Sequence, residues 1–257
     1  MKLNQPINDI IEQPITKMTF AEMQRKLLGE FSSSVKALDI GFATFLDQAS
    51  ETLGTLYPAQ HKFLTEMHNE LQIPNAVVDV KSARQVGTTT GLMLLAYYQM
   101  LYNPHQTIAF VYHNQAQARD VCKQLGNLAS MMQAEHNHPK VFTKFHKDYL
   151  VTPHSGRIVF VSARSIDNLR GHTISKVFAE DYNRYNTEMF ESAVIPLLRC
   201  GADLVTTNVG MHSILPTNIK RTSISREWDD NPNHDLAFFK RMREIMPSDQ
   251  FNLEMNL

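Results

Sequence analysis

Cysteine is scarce: Cys122 and Cys200 are the only two in 257 residues, so a disulfide framework and a four-cysteine zinc site are both excluded. A bulk charge of one sign is absent as well. The formal net charge is −1, from 25 Lys+Arg against 26 Asp+Glu, which gives no global electrostatic reason to adhere to nucleic acid or an anionic membrane. Any contact with DNA must come from a local patch. No apolar run reaches the ~18 residues that a membrane span needs. The stretch from Met1 to Gln13 has no apolar core of signal-peptide type. Internal repeats and low-complexity tracts are missing too. With 43% hydrophobic and 20% charged residues, the expectation is a cytosolic-type soluble globular chain, one large domain or a domain with an appendage.

Residues 1–18 are polar and broken by Pro6 and Pro14, which reads as an irregular arm. From Phe20 to about Leu53 the apolar spacing is helical (Met23, Leu27, Leu28, Phe31, then Phe42, Phe45, Leu46). It predicts two helices with a break near Ser32-Ser33-Ser34. From residue 75 short β-branched runs alternate with helical segments. The runs are Ala76–Val80, Thr107–Tyr112, Arg157–Val161, Lys176–Ala179 and Asp203–Thr207; the helical segments are Thr89–Tyr102, Gln115–Met132 and Glu188–Arg199. Buried strands alternating with helices predict an α/β fold with a mainly parallel sheet covered on both faces. Ligands of such sheets sit beyond the carboxyl ends of the strands. After Pro216 a strand (Ile219–Ile224) and a helix (His234–Met246) suggest a small C-terminal subdomain. The expected organisation is an arm and helical extension over 1–54, a core over 55–215 and a lid or linker over 216–257.

The most informative segment is Lys81-Ser82-Ala83-Arg84-Gln85-Val86-Gly87-Thr88-Thr89-Thr90, between a strand and a helix. A phosphate-binding loop needs that position, because loop N–H groups and a helix N-terminus together cradle an anion. Thr89 opens the helix with a hydroxyl where a Mg²⁺ ligand is needed. The usual Gly-Lys-Thr reads Gly87-Thr88-Thr89 here, so the loop lysine is missing from its usual place. Lys81, at the start of the loop, can fold back and supply the same charge to the β/γ-phosphates. Arg84 can stabilise charge on a transferred phosphoryl group. The alternative is a polar strand–turn–helix that binds nothing.

Three further features point the same way. Gln60, in Leu56-Tyr57-Pro58-Ala59-Gln60, can read an adenine edge as donor and acceptor together. Glu180 and Asp181 end an apolar strand, and two acids there need a cation or water; in a nucleotide hydrolase the first holds the Mg²⁺ shell and the second polarises the attacking water. The usual order is Asp then Glu, and here it is reversed. Thr206-Thr207-Asn208 end the next apolar strand, where hydroxyls and an amide can sense a γ-phosphate. Each alone also reads as an ordinary cap, loop or turn.

In this order and spacing, the features resemble the ATPase half of the large terminase of tailed bacteriophages, from about Leu56 to the C-terminus. Tyr57-Pro58-Ala59-Gln60 looks like the family's adenine motif. Arg84-Gln85-Val86-Gly87-Thr88-Thr89 is similar to its Arg-Gln-x-Gly-Lys-Thr loop with the lysine replaced, and Lys81-Ser82-Ala83-Arg84 matches a version of the loop whose lysine comes first. Ala116-Gln117-Ala118-Arg119 is similar to the following helix, and Arg170-Gly171 stands where terminases carry Arg-Gly. Thr206-Thr207-Asn208 resembles the coupling motif, and Trp228, Pro232 and Phe251-Asn252-Leu253-Glu254 resemble the lid.

The resemblance implies a P-loop NTPase core with ATP and Mg²⁺ as cofactors. Lys81, Ser82, Ala83, Arg84, Gln85, Val86, Gly87, Thr88 and Thr89 would hold phosphates, Gln60 the base, and Thr89 with Glu180 the metal. Asp181 would orient water, Arg84 would act as an in-chain arginine finger, and Arg170 would reach a neighbouring subunit. Thr206, Thr207 and Asn208 would couple chemistry to the lid. The implied activity is ATP-driven translocation of double-stranded DNA into a procapsid. Its implied partners are a portal protein, a small terminase subunit and further copies in a ring. The implied place is the cytoplasm of an infected bacterium, transiently at the portal. The family's nuclease half has no counterpart, so nuclease activity is expected from a separate chain or a removed half. The alternatives are a hydrolysis-impaired assembly protein of the same fold and a helicase-like ATPase.

Other residues read as structural. His136, His138, His146 and His154 lack metal-ligand spacing and read as surface histidines. Cys122 and Cys200 read as small packing residues. Lys220, Arg221, Arg226, Lys240, Arg241 and Arg243 read equally as a solvated face or a phosphate-tracking patch.

Overall fold

The computed structural model of the chain describes residues 40–54, 56–209, 215 and 219–255. The arm, the first predicted helix and the serine break lie outside these residues. Helix α1 (Phe42–Leu53) and α2 (Pro58–Glu70) precede β1 (Val77–Ser82), α3 (Thr88–Tyr102), β2 (Thr107–Tyr112) and α4 (Gln115–His136). A hairpin of β3 (Lys144–Phe145) and β4 (Tyr149–Val151) leads to β5 (Arg157–Ser162), and β6 (Lys176–Ala179), α5 (Thr187–Arg199) and β7 (Asp203–Val209) follow. The chain closes with β8 (Thr222–Arg226), α6 (Leu236–Ile245) and α7 (Ser248–Met255).

One sheet of eight strands runs in the order β3-β4-β5-β2-β6-β7-β1-β8. All pairings from β5 to β8 are parallel, and only β3–β4 and β4–β5 are antiparallel. Side-chain alternation divides the sheet into two faces. Val78 and Val80 of β1 join α1, α2, α3 and α4 in the larger core, together with Phe110 and Phe178. Val77 and Leu204 join α5 in the smaller one. Helix α3 is apolar all round because it is covered on every side, with nine of its residues buried. Gly91 lets it approach α2: a Cβ there would meet Phe63 at 3.0 Å and Leu64 at 3.3 Å.

β1 is the switch point of the sheet. Its following helix leads toward β2 on one side, whereas β8 pairs on the other, and a crevice opens at such reversals beyond the carboxyl ends.

The structure departs from the sequence reading in several places. Of the four histidines, His136 ends α4 and His146 lies in the antiparallel hairpin at the far edge of the sheet. His138 is only 3% exposed; it bonds Tyr97 Oη (3.1 Å) and Gln48 Oε1 (2.9 Å), so it is a core histidine. Burial lowers its pKa, because desolvation disfavours the charged ring. Cys200 is exposed, whereas Cys122 is buried. The C-terminal strand falls at Thr222–Arg226 instead of Ile219–Ile224, where parallel pairing with β1 selects the register. Helix α7 was hidden by its polar composition. Among the described residues no group of three or more His, Cys, Asp or Glu could hold a metal, and no helix is long and apolar enough to cross a membrane.

Candidate active site

A cavity of about 300 Å³ lies at the carboxyl ends of β1, β6 and β7. It is lined by the segment from Ser82 to Thr90 (Val86 excepted), by Glu180 and Asp181, by Thr207, Asn208 and Val209, and by Gln117.

The first wall is the loop. Gly87, the N-cap of α3, has φ +79°, which an L side chain rarely adopts. A Cβ there would also stand 2.0 Å from Gln60 Nε2. Gln60 is thus tucked beneath the loop, 9% exposed, and its Oε1 accepts the N–H of Tyr57 at 2.9 Å. Thr88 holds the position where the usual lysine would stand, and its hydroxyl bonds Ser82 Oγ at 2.7 Å. The first turn of α3 carries no acidic residue, so its N-terminal field is left free for an anion. Lys81 is half-buried and does not line the cavity; strand alternation places it on the face of β1 opposite Ser82.

The loop is tied to the C-terminal segment. The Arg84 N–H donates to the Glu254 carbonyl at 3.1 Å, and its guanidinium forms an ion pair with the buried Glu254 carboxylate. Ala83 N donates to Arg226 O at 2.9 Å, and Asn231 Nδ2 to Gln85 O at 2.8 Å. Arg226 is 2% exposed: Nη2 donates to Val86 O (2.8 Å), Nε to Asp230 Oδ2 (2.6 Å), and the guanidinium covers the Phe63 ring. It braces the loop from below, so it belongs to neither a solvated face nor a phosphate-tracking patch.

The second wall is the strand ends. Glu180 is 6% exposed, and its Oε1 has no hydrogen-bond partner. Burial pushes its pKa up to about 7, opposed by a hydrogen bond from Thr89 and aided by the Asp181 charge. The hydroxyl of Tyr185 bonds the Val111 carbonyl (2.6 Å) and that of Glu180, fixing the strand end. Asp181 is left-handed (φ 52°), its N–H donates to Thr207 Oγ1 at 3.2 Å, and Arg184 lies 3.7 Å from its carboxylate. Thr206 is fully buried and does not reach the cavity. Its hydroxyl and the Asn208 amide both donate to Asp79 Oδ1, at 2.7 and 2.9 Å, while Asn208 Oδ1 accepts the N–H of Asn183 at 3.1 Å.

The cavity therefore brings together Ser82 to Thr89, Glu180, Asp181, Thr207 and Asn208. Gln60, Thr206 and Lys81 stand behind it. Arg170 stands apart: it pairs with Asp167 (2.9 Å), bonds Ser192 (3.1 Å) and lines a different hollow. Sequence reasoning missed Asp79, and it missed the hold that Arg226 and Glu254 have on the loop. An aspartate inside Val77-Val78-Asp79-Val80 was the one available signal, since a buried carboxylate in a strand needs donors.

Neither a family profile nor a curated relative matches this sequence. Solved structures do resemble it. The ATPase domain of the Thermus phage P74-26 large terminase superposes with a TM-score of 0.59 at 17% identity, over 80% of this chain and 95% of that one. A large terminase from another thermophilic bacteriophage, in complex with ATP-gamma-S, gives 0.58 at 13% identity over 76% of this chain and 51% of that one. The large terminase of bacteriophage HK97 gives 0.53 at 14% over 79% of this chain and 50% of that one. The chain spans nearly all of the first and about half the length of the other two. Its fold, an eight-stranded and mostly parallel sheet flanked by helices, is accordingly the fold seen in the ATPase domains of these large terminases.

Proposed function

We propose that the chain is the ATP-hydrolysing motor part of a viral DNA-packaging terminase. One observation carries this reading: a buried carboxylate, Glu180, faces a phosphate-type loop and Thr89 across a cavity and keeps one oxygen unpartnered. A strand-end acid beside a helix-opening threonine is the donor set that a Mg²⁺ ion with its water shell requires. Bound there, Mg²⁺–ATP would supply the charge neutralisation that phosphoryl transfer needs.

In this reading the loop amides and the α3 N-terminus hold the phosphates, with Lys81 adding charge from the start of the loop. Thr89 and Glu180 hold the metal, and Asp181 orients the attacking water. Arg84 acts as the in-chain arginine finger once it leaves Glu254, which links the loop to the lid. Asn208 joins the cavity to the backbone after Asp181, and with Thr206 it forms the coupling element anchored on Asp79. Arg170, exposed and remote, is the candidate to reach a neighbouring copy in a ring. Double-stranded DNA is the substrate moved, and portal, small subunit and a separate nuclease are the partners that fit. The place of action is the host cytoplasm, at the portal of the procapsid.

The test is steady-state ATP hydrolysis by the purified chain with Mg²⁺, with and without double-stranded DNA, beside Asp181→Asn and Lys81→Ala. Turnover abolished by Asp181→Asn and reduced by Lys81→Ala supports the motor. ATP binding without turnover in any condition supports the second reading, a nucleotide-binding assembly protein. That reading is favoured by Thr88 occupying the lysine position and by Lys81 lying off the cavity.

A further inference from the structure

The cavity has a third wall that the reading above leaves without a task. Gln117, in the first turn of α4, lines it together with the loop and the strand ends. Its backbone N–H is taken by the N-cap, Asn114 Oδ1, at 2.8 Å. Its side-chain amide makes no hydrogen bond among the described residues.

The turn that presents it is braced. Two residues earlier, Gln115 Nε2 donates to Asp148 Oδ1 at 2.9 Å, and its Oε1 accepts the N–H of Ser162 at 3.1 Å. A half-buried glutamine on a loose turn would be an ordinary surface residue. Here the turn is fixed from β5 and from the hairpin, so the side chain is held at the cavity.

Topology sets what it faces. β2, which feeds α4, lies beside β6 with Val111 opposite Ala179. One residue further on, Tyr112 and Glu180 are neighbours on the face that α3 and α4 cover. Phe110 and Phe178 lie on that same face, two residues earlier. Gln117, Thr89 and Glu180 therefore converge from one side of the sheet. All three line the cavity, and Glu180 Oε1 has no protein partner.

Resting on the hydrolysis reading of this cavity, we infer that Gln117 is a further catalytic residue. Its amide holds the attacking water against the terminal phosphate, accepting from the water through Oε1 and donating to a phosphate oxygen through Nε2. An amide suits the task because it donates and accepts at once and does not titrate beside two carboxylates. Phosphoryl-transfer enzymes use a glutamine to orient water in this way. In the step, the water oxygen forms a bond to the terminal phosphorus. The bond from phosphorus to the bridging oxygen breaks, and its electron pair leaves on ADP. The water proton passes to Asp181; Gln117 neither gives up nor takes one.

The experiment compares Gln117→Ala and the near-isosteric Gln117→Glu with the parent full chain. It measures kcat and KM for ATP, Kd for ADP and ATP-gamma-S, and the thermal midpoint. Both variants are expected to lower kcat about 10- to 100-fold, with ADP affinity within about twofold of the parent and the midpoint unchanged. Gln117→Ala should also erode the preference for ATP-gamma-S over ADP. A kcat within twofold of the parent overturns the inference, as does a loss of ADP affinity equal to the loss of kcat. If the parent binds ATP-gamma-S without turning over ATP, the motor reading fails on its own. The preference for ATP-gamma-S then decides Gln117, and no change in Gln117→Ala overturns it. If the parent binds neither nucleotide, both fall together.

Discussion

β6 and β7 carry buried polar groups at both ends, and the two ends are treated differently. At the amino end, Lys176 of β6 and Asp203 of β7 form an ion pair, and the second Asp203 oxygen accepts the N–H of Ala76 at 3.0 Å. At the carboxyl end, Glu180 is as deeply buried as either (6% exposed against 8% and 7%), yet one of its oxygens has no partner. Both ends incur the desolvation of a carboxylate. The amino end offsets it internally, and the carboxyl end leaves it to be offset from outside the protein. The closed end is architecture, and the open end is where a ligand is expected.

The strongest way to break this comparison is at the closed end. Asp203→Ala would leave the Lys176 ammonium buried and unpaired, with an expected loss of about 3–5 kcal/mol in chemical denaturation. Turnover per folded molecule should stay near that of the parent, since neither residue lines the cavity. Asp79→Ala sharpens the contrast next. It strips the acceptor from the Thr206 hydroxyl and the Asn208 amide, so about 1–3 kcal/mol is expected to be lost. Because Asn208 lines the cavity, the KM for ATP should rise as well, and an unchanged KM would detach Asp79 from the site. The smallest effect is expected from Glu254→Gln, which weakens the hold on Arg84 without shortening the side chain. ATP affinity should rise by about two- to fivefold, the scale of one partly exposed ion pair, in a calorimetric titration. A fall in affinity would mean that Glu254 positions Arg84 instead of competing for it.

The sequence showed the parallel core and the site loop clearly, because both depend on local pattern. Apolar runs with helices between them marked β1, β2, β5, β6 and β7 within a residue or two. The Lys81–Thr90 segment stood out by its place between strand and helix. The β3–β4 hairpin did not, since its strands are only two and three residues long, too short to show a pattern. Lys81, Gln60 and Thr206 were readable as polar residues near the site, but whether each faces the cavity depends on strand parity and on packing against Gly87. Arg226, read as one of a basic set, and Glu254, read as part of the lid, had their loop contacts hidden for another reason. They act through contacts across 140 and 170 residues, to Val86 and Arg84, and composition in a polar tail gives no hint of such pairings.

The most direct measurement of the central claim pairs ATP hydrolysis with thermal stability in Glu180→Gln. The substitution keeps the shape of the side chain and removes a buried charge, one of whose oxygens no protein group satisfies. If the carboxyl end is held open for a ligand, hydrolysis should fall by about 100-fold or more while the ligand-free thermal midpoint stays the same or rises. Retained hydrolysis together with a lower midpoint would show that Glu180 is architecture like Asp203, and would contradict the account.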